Sequence, residues 1–280
     1  MTSSTTAEAR RIVISAPGRF RLPAPRTLWE AREVLWRFGL RDITLRYRQT
    51  FLGVIWVVLQ PALTAGIFTL VFGKVANLDS GGVPYFVFSF VGMTAWNVFN
   101  GVATRAAPSL VANSALVSKV FFPRVLVPLS TACSVVVDLA VSLVMAVGLL
   151  FAYGINPGWA VLTAPVWLLM LMLLGAGLGV AASALMVRYR DVGYILPFAL
   201  QALLYISPIA YALSAVPAKY EIFYQVNPLS WLLQCVRWSL LGQPMPPWWQ
   251  IGGSVAASVG AFLLGVLVFE QLEREFADVI

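Results

Sequence analysis

The chain has 280 residues, of which 60% are hydrophobic and 11% charged, with a mean hydropathy of +0.82. Soluble domains run at roughly 45–50% apolar and about 25% charged, so the charges here are too few to cover a water-facing surface, and the composition is that of a polytopic membrane protein. In such a chain the net charge of +7 reads as orientation and attraction to an anionic lipid surface, not as a nucleic-acid footprint.

Residues 1–26 are rich in Ser, Thr, Ala, Pro and Arg and read as a flexible leader. No short apolar core with a small-residue cleavage site precedes the first span, so no cleavable signal peptide is expected. From Thr27 the pattern changes. Leu28, Trp29, Val34, Leu35, Trp36, Phe38 and Leu40 alternate with charges, and Thr27 with Glu30 forms a capping-box signature. This predicts an amphipathic interface helix over 27–40, within a segment ending near residue 50. Its tryptophans serve either as simple anchors or as a docking surface for a cytoplasmic partner.

A transmembrane domain is predicted over 51–272. A helix needs about 20 apolar residues to cross the hydrocarbon. Candidate spans are Phe51–Gly73, Pro84–Thr104, Val125–Tyr153, Trp159–Val187, Val192 to about Leu213, and Ile251–Phe269, six in all. The loop Arg105–Arg124 is too polar to span, and a short helix capped at Asn113 and stopped by Pro123 is expected there. Residues 214–250 carry Trp231, Trp238, Trp248 and Trp249 among several prolines. Within them the apolar stretch Pro228–Leu241 is too short to cross and suits a re-entrant helix, so this segment is expected to lie over an exit. Residues 273–280 form a tail.

Six spans place both termini on one side, and the basic residues say which. Ten arginines in the first 50 residues join Arg105, Lys119, Arg124, Arg188, Arg190 and Arg274, against Lys74, Lys219 and Arg237 opposite. Sixteen against three puts both termini in the cytoplasm of a multi-pass protein of the cytoplasmic membrane.

The available chemistry is narrow. The sequence holds no histidine, so imidazole neither ligates a metal nor relays protons. Cys133 and Cys235 have no partners at metal or redox spacing. No G-x-x-x-x-G-K-[ST] phosphate loop occurs, so nucleotide hydrolysis is expected on another chain. Asp138, alone among ionisable groups, falls well inside a span, where a carboxylate needs a partner. Hydrogen bonding with Ser134 or Ser142, one turn away, is the favoured reading over a proton site.

Polar and aromatic residues at helical spacing point to an interior surface. Tyr194, Phe198, Gln201 and Tyr205 share one face of the fifth span; Trp56, Gln60 and Thr64 share one face of the first; Phe90, Thr94, Asn97 and Gly101 follow on the second. Rings with amide and hydroxyl neighbours suit carbohydrate, whose C–H faces stack on aromatics while its hydroxyls pair with amides. Packing and interface belts are the ordinary alternative. The arginines Arg46, Arg48, Arg188 and Arg190 could meet the pyrophosphate of a lipid carrier or act as positive-inside anchors.

The stretch Arg41–Trp56 ("RDITLRYRQTFLGVIW"), followed by Gln60-Pro61, then Asn113–Arg124 ("NSALVSKVFFPR"), Arg188–Val192 ("RYRDV"), Ser207–Tyr211 ("SPIAY") and Asn227–Trp231 ("NPLSW"), resembles in order the transmembrane subunit of type-2 ABC exporters that move bacterial polysaccharides such as O-antigen and teichoic acid. The resemblance covers roughly residues 30–272. It implies an all-α homodimer of six-span subunits bound to two ATP-binding subunits, which carry the ATP and magnesium; no cofactor is expected in this chain. It further implies ATPase docking through the interface helix (Trp29, Trp36) and the coupling helix (Asn113, Leu116, Lys119), gate helices in 214–250 (Pro228, Trp231, Trp238), and a channel lined by the first and fifth spans. A drug or other amphiphile exporter of the same superfamily is the nearest alternative. An integral-membrane sugar transferase is less favoured, since the outer side offers only Asp79 and Glu221 as acids.

Overall fold

The computed structural model describes residues 29–48, 53–117, 122–213 and 216–273, and these are helical with no strand among them. Backbone polar groups in hydrocarbon must be satisfied within the segment, which long apolar helices achieve. Helix α1 is Arg32–Tyr47. Helix α2, Gly53–Phe68, continues as a π-helix over Thr69–Val75. Helix α3 is Tyr85–Ala106; two single turns follow, α4 (Ser109–Ala112) and α5 (Ser114–Val117). Helix α6 (Leu126–Ser130) leads at Thr131 into α7 (Ala132–Ala152), and a 3-10 turn (Gly158–Thr163) leads into α8 (Ala164–Arg188). Helix α9 is Val192–Ile206, α10 is Glu221–Val226, α11 is Pro228–Leu241 and α12 is Trp248–Glu273.

Among the described residues, five helical stretches are long and apolar enough to cross a membrane: Ile55–Val75, Tyr85–Ala106, Leu126–Ala152, Gly158–Arg188 and Trp248–Glu273. The expected fifth span is shorter than predicted. Helix α9 has 15 residues, about 22 Å at 1.5 Å per residue. Ser207 turns extended (φ −84°, ψ 148°) because the following Pro208 disfavours helical backbone before it. Residues 207–210 are nonetheless buried.

Helix α3 is the hub of the bundle. It packs on α8, α7, α2 and α11, and α8 in turn packs along α12. Small residues allow these backbones to touch. A Cβ at Gly265 would lie 2.1 Å from the Gly177 carbonyl oxygen, and one at Gly175 would lie 2.5 Å from that of Phe99.

Helix α1 runs past the predicted end at Leu40 to Tyr47; the proposed cap Thr27 lies outside the described residues. Phe38 and Gly39 are buried, and Gly39 is needed because a Cβ there would sit 2.8 Å from that of Cys133. The expected helix starting at Asn113 is instead the turn α5, and Asn113 closes the turn before it: its Nδ2 donates to the Ser109 carbonyl at 2.7 Å. Lys119 lies outside the described residues.

Helix α11 coincides with the apolar stretch read from the sequence. Asn227 caps it, accepting from the Leu229 N–H at 3.0 Å; Pro228 occupies the first turn; Gly242 ends it with φ +65°. It does not lie across the bundle as a lid. Ten of its fourteen residues are buried against α3, α8 and α12.

Candidate functional site

Asp138, on α7, does not rely on its neighbouring serines. Its Oδ2 accepts from Arg105 at the end of α3 and forms an ion pair with Arg46 on α1 at 3.1 Å, while Oδ1 accepts from the Tyr47 hydroxyl. Ser134 enters only through Arg105, whose Nη1 donates to its hydroxyl at 2.7 Å. Three helices therefore converge on one carboxylate. Arg105 and Arg46, counted in the sequence as orienting charges, reach it because α1 runs about two further turns, to Tyr47, and α3 carries Arg105 in its last turn.

These charges form one wall of a cavity of about 310 Å³ between α2, α3 and α7. Gln60 and Asn97, both predicted interior residues, line it with Thr94, Asn100, Thr104 and Ser142. Sequence reading missed Arg105, Tyr47, Asn100 and Thr104. One signal was present: Asn97, Gly101 and Arg105 are spaced four apart, so the second-span stripe runs on into the arginine. Phe90, placed on that stripe, is not among the residues that line this cavity. It is fully buried against Ala65 and Ala146.

The second surface is the outer face of α9. Leu196 and Leu200 are buried toward the bundle, and α9 packs on α8 and α3. On the opposite side Tyr194, Phe198, Gln201 and Tyr205 are all exposed, Tyr194 at 83% and Phe198 at 75%. Trp56 and Gln60 are likewise exposed on α2, with Thr64 half-buried and donating to the Gln60 carbonyl at 2.9 Å. Helix α2 packs on α3 and α7 instead of on α9, so the two faces stand open separately within one chain.

Arg48, Arg188 and Arg190 are exposed. Arg190 and Tyr194 share a groove of about 630 Å³ with Val111, Ser114 and Met186, which places the end of the aromatic face beside the short turns α4 and α5. Trp36 on α1 is exposed at 58%, and Trp29, three residues before α1, at 69%; of Leu116 the backbone in α5 is described. At the other end of the bundle, Trp231 donates to the Gln225 carbonyl at 2.9 Å and meets Trp249 edge to face, and Trp238 meets Trp159 the same way, both ring pairs at 5.6 Å. Pro228 starts α11.

Arg237, counted among the basic residues of the outer side, is 3% exposed inside α11. The count of exposed basic residues on that side falls accordingly.

Residues 33–241 match the family described as ABC-2 type transporter. Similar proteins include the O-antigen export system permease protein RfbA of Klebsiella pneumoniae, 27% identical over 86% of this chain and 92% of that protein. A protein of the same name from Myxococcus xanthus is 27% identical over 91% of this chain and 98% of that protein. The polysialic acid transport protein KpsM of Escherichia coli is 24% identical over 71% and 77% respectively. With three quarters of its length matched on a bundle of membrane-length helices, the chain belongs to the ABC-2 type transporter family.

Proposed function

We propose that this chain is the channel-forming permease of an ATP-driven exporter that carries a lipid-linked polysaccharide across the cytoplasmic membrane. Two copies assemble with two ATP-binding subunits, which hold ATP and magnesium, and both termini face the cytoplasm. The names of its relatives support the cargo class, and the basic asymmetry supports the orientation.

The observation that carries the reading is the α9 face. An exposed row of Tyr194, Phe198, Gln201 and Tyr205 offers repeated ring and amide contact. A moving polymer must be held weakly at many places, because tight binding at one would stall it. Two such faces, with the Trp56–Gln60 faces of α2, would line a path between two subunits. Arg48, Arg188 and Arg190 give the entry side a positive field for a carrier's phosphates. Trp29 just before α1, Trp36 on α1 and the turns at Asn113 and Leu116, with Lys119 beyond them, offer the ATPase its docking surface.

The test is reconstitution of the chain with its ATPase in vesicles, reading ATP-dependent movement of lipid-linked polysaccharide. Replacing Tyr194, Phe198 or Tyr205 by Ala lowers transport while dimer assembly and basal hydrolysis stay near wild type. Leu at the same positions keeps apolar volume and removes the ring. Normal transport by the Leu variants would mean that the rings are not cargo contacts, and the reading would fall.

A further inference from the structure

A groove of about 440 Å³ runs along α8 between α9 and α12. Helix α9 packs on α8 and α3, and α12 packs on α8 and α11, so α8 is left as a floor between two walls. The floor is deep because small residues build it. Gly177 and Ala181 of α8 line it with Ala261 and Gly265 of α12, and the two glycines stand where the backbones touch. Leu203 of α9 and Leu264 of α12 form the rims, and the first turn of α11 closes one end.

Depth limits what can reach it. Pro228 shares the groove with Ala261, which puts the start of α11 about 20 Å along α12, itself about 39 Å long. From there the groove extends toward Val268, within membrane-spanning stretches and in the half of the bundle that ends at Arg188 and Glu273. Only a membrane-embedded group meets it there.

The lining is that of a hydrocarbon site. It holds no charged residue, and its one polar side chain is Asn227. That amide is already committed: Nδ2 donates to the Ser207 hydroxyl at 3.1 Å, and Oδ1 accepts from the Leu229 N–H at 3.0 Å. A sugar or headgroup placed here would lose its water and gain no partner. Size decides between the remaining occupants. From Ala261 to Val268 the groove runs about 10 Å, which with its volume gives a cross-section of about 40 Å². An α-helix, about 10–12 Å across, needs about 80 Å² or more. A helix of a second copy or of another protein is too thick, whereas an extended alkyl chain fits. Left empty, the groove forfeits dispersion contacts that a chain supplies from the floor and both walls.

We infer that this groove binds a hydrocarbon chain of a membrane lipid, in the leaflet on the side of the turns α4 and α5, with the end of the chain under the first turn of α11. A chain there touches α9, α11 and α12 at once and braces the junction at which Asn227 holds Ser207. None of this depends on the cargo.

The test places the full chain in vesicles of phosphatidylethanolamine and phosphatidylglycerol, doped with a phosphatidylcholine that carries a diazirine at the end of one chain. After irradiation, labelled residues are mapped by mass spectrometry. Labels concentrate at Leu203 and Ala261, above the level at Val259 and Leu263, which are exposed on α12 outside the groove. Two substitutions fill the space: Ala181→Phe from the floor and Leu264→Trp from the rim. Leu264 is 64% exposed, so its replacement costs no buried contact and the chain folds. In both variants labelling of Leu203 and Ala261 falls to the level at Val259, which itself is unchanged. In detergent, palmitoyl lysophosphatidylglycerol raises the thermal midpoint of the delipidated wild type, glycerol phosphate does not, and Leu264→Trp abolishes the rise. Labels spread evenly over the exposed apolar residues of α9 and α12, a groove left unlabelled because a second copy covers it, or wild-type labelling in both filled variants would each overturn the inference.

Discussion

The guanidinium carbon of Arg237 lies 3.7 Å from the centre of the Phe88 ring. That contact joins α11 to α3 and delivers the arginine's Nη2 to the Ile209 carbonyl at 2.7 Å. Tyr85, one turn earlier on α3, donates its hydroxyl to the next carbonyl, Ala210. Together they satisfy the buried, non-helical stretch that follows α9. Backbone of this kind at membrane depth is tolerated only where protein supplies its hydrogen bonds. Gly92 makes the arrangement possible, since a Cβ there would lie 2.5 Å from the Ile209 oxygen. Gly92→Ala is therefore expected to destabilise the chain by about 1–3 kcal/mol, and Phe88→Leu by about 2 kcal/mol. Thermal unfolding in detergent reads both; an unchanged midpoint for Gly92→Ala would show that the stretch is not held against α3.

Asp138 links α1, α3 and α7, so its loss has consequences beyond one ion pair. Asp138→Ala leaves Arg46 and Arg105 facing each other. The expected cost is about 2–4 kcal/mol, toward the lower end because Arg46 is screened by solvent. Asp138→Asn retains an acceptor and costs less. Limited proteolysis at the arginines of α1 should speed up in the same order, Ala before Asn before wild type. Equal cleavage rates in all three would mean that α1 is held by Phe38 and Gly39 alone.

Helices α8 and α12 touch at their backbones through Gly177 and Gly265. A side chain at either position must push them apart. Gly265→Ala should lower stability by about 1–3 kcal/mol, whereas Gly260→Ala, where a Cβ meets nothing within 4 Å, should leave it unchanged or slightly raised. The paired midpoints separate backbone contact from a general intolerance of larger residues in α12.

Orientation is open to direct measurement. With Cys133 and Cys235 replaced by Ala, single cysteines at Arg37 and Lys219 should react with impermeant reagents from opposite sides of the membrane. Arg37 should react from the cytoplasm. Reaction of both from one side would contradict the proposed placement of the 214–250 segment.

Much of the bundle was legible from composition and period. Apolar length marked the long helices to within a few residues. Asn227, Pro228 and Gly242 set both ends of α11, because capping and left-handed turns are local chemistry. The aromatic face of α9 followed from spacing alone: Tyr194, Phe198, Gln201 and Tyr205 fall on one side of any helix that contains them. Its shortening at Ser207 was also written in the sequence, in the proline that follows, though the apolar run to Leu213 hid it.

What the sequence could not decide is which distant groups meet. Arg237 counted as an outer-side charge and Phe90 as a lining ring, since a hydropathy window weighs each residue with its neighbours and not with its eventual contacts. Only the packed bundle buried both. Asp138 needed a partner on energetic grounds, and the nearest candidates were serines one turn away. Its partners are Tyr47, 91 residues upstream, and Arg105, 33 residues upstream. The sequence by itself determined that this chain lives in a membrane, where its helices lie and which faces are polar. Tertiary structure alone decided the pairings, because a charge in a low-dielectric interior takes the strongest partner that packing brings within reach, whatever its distance along the chain.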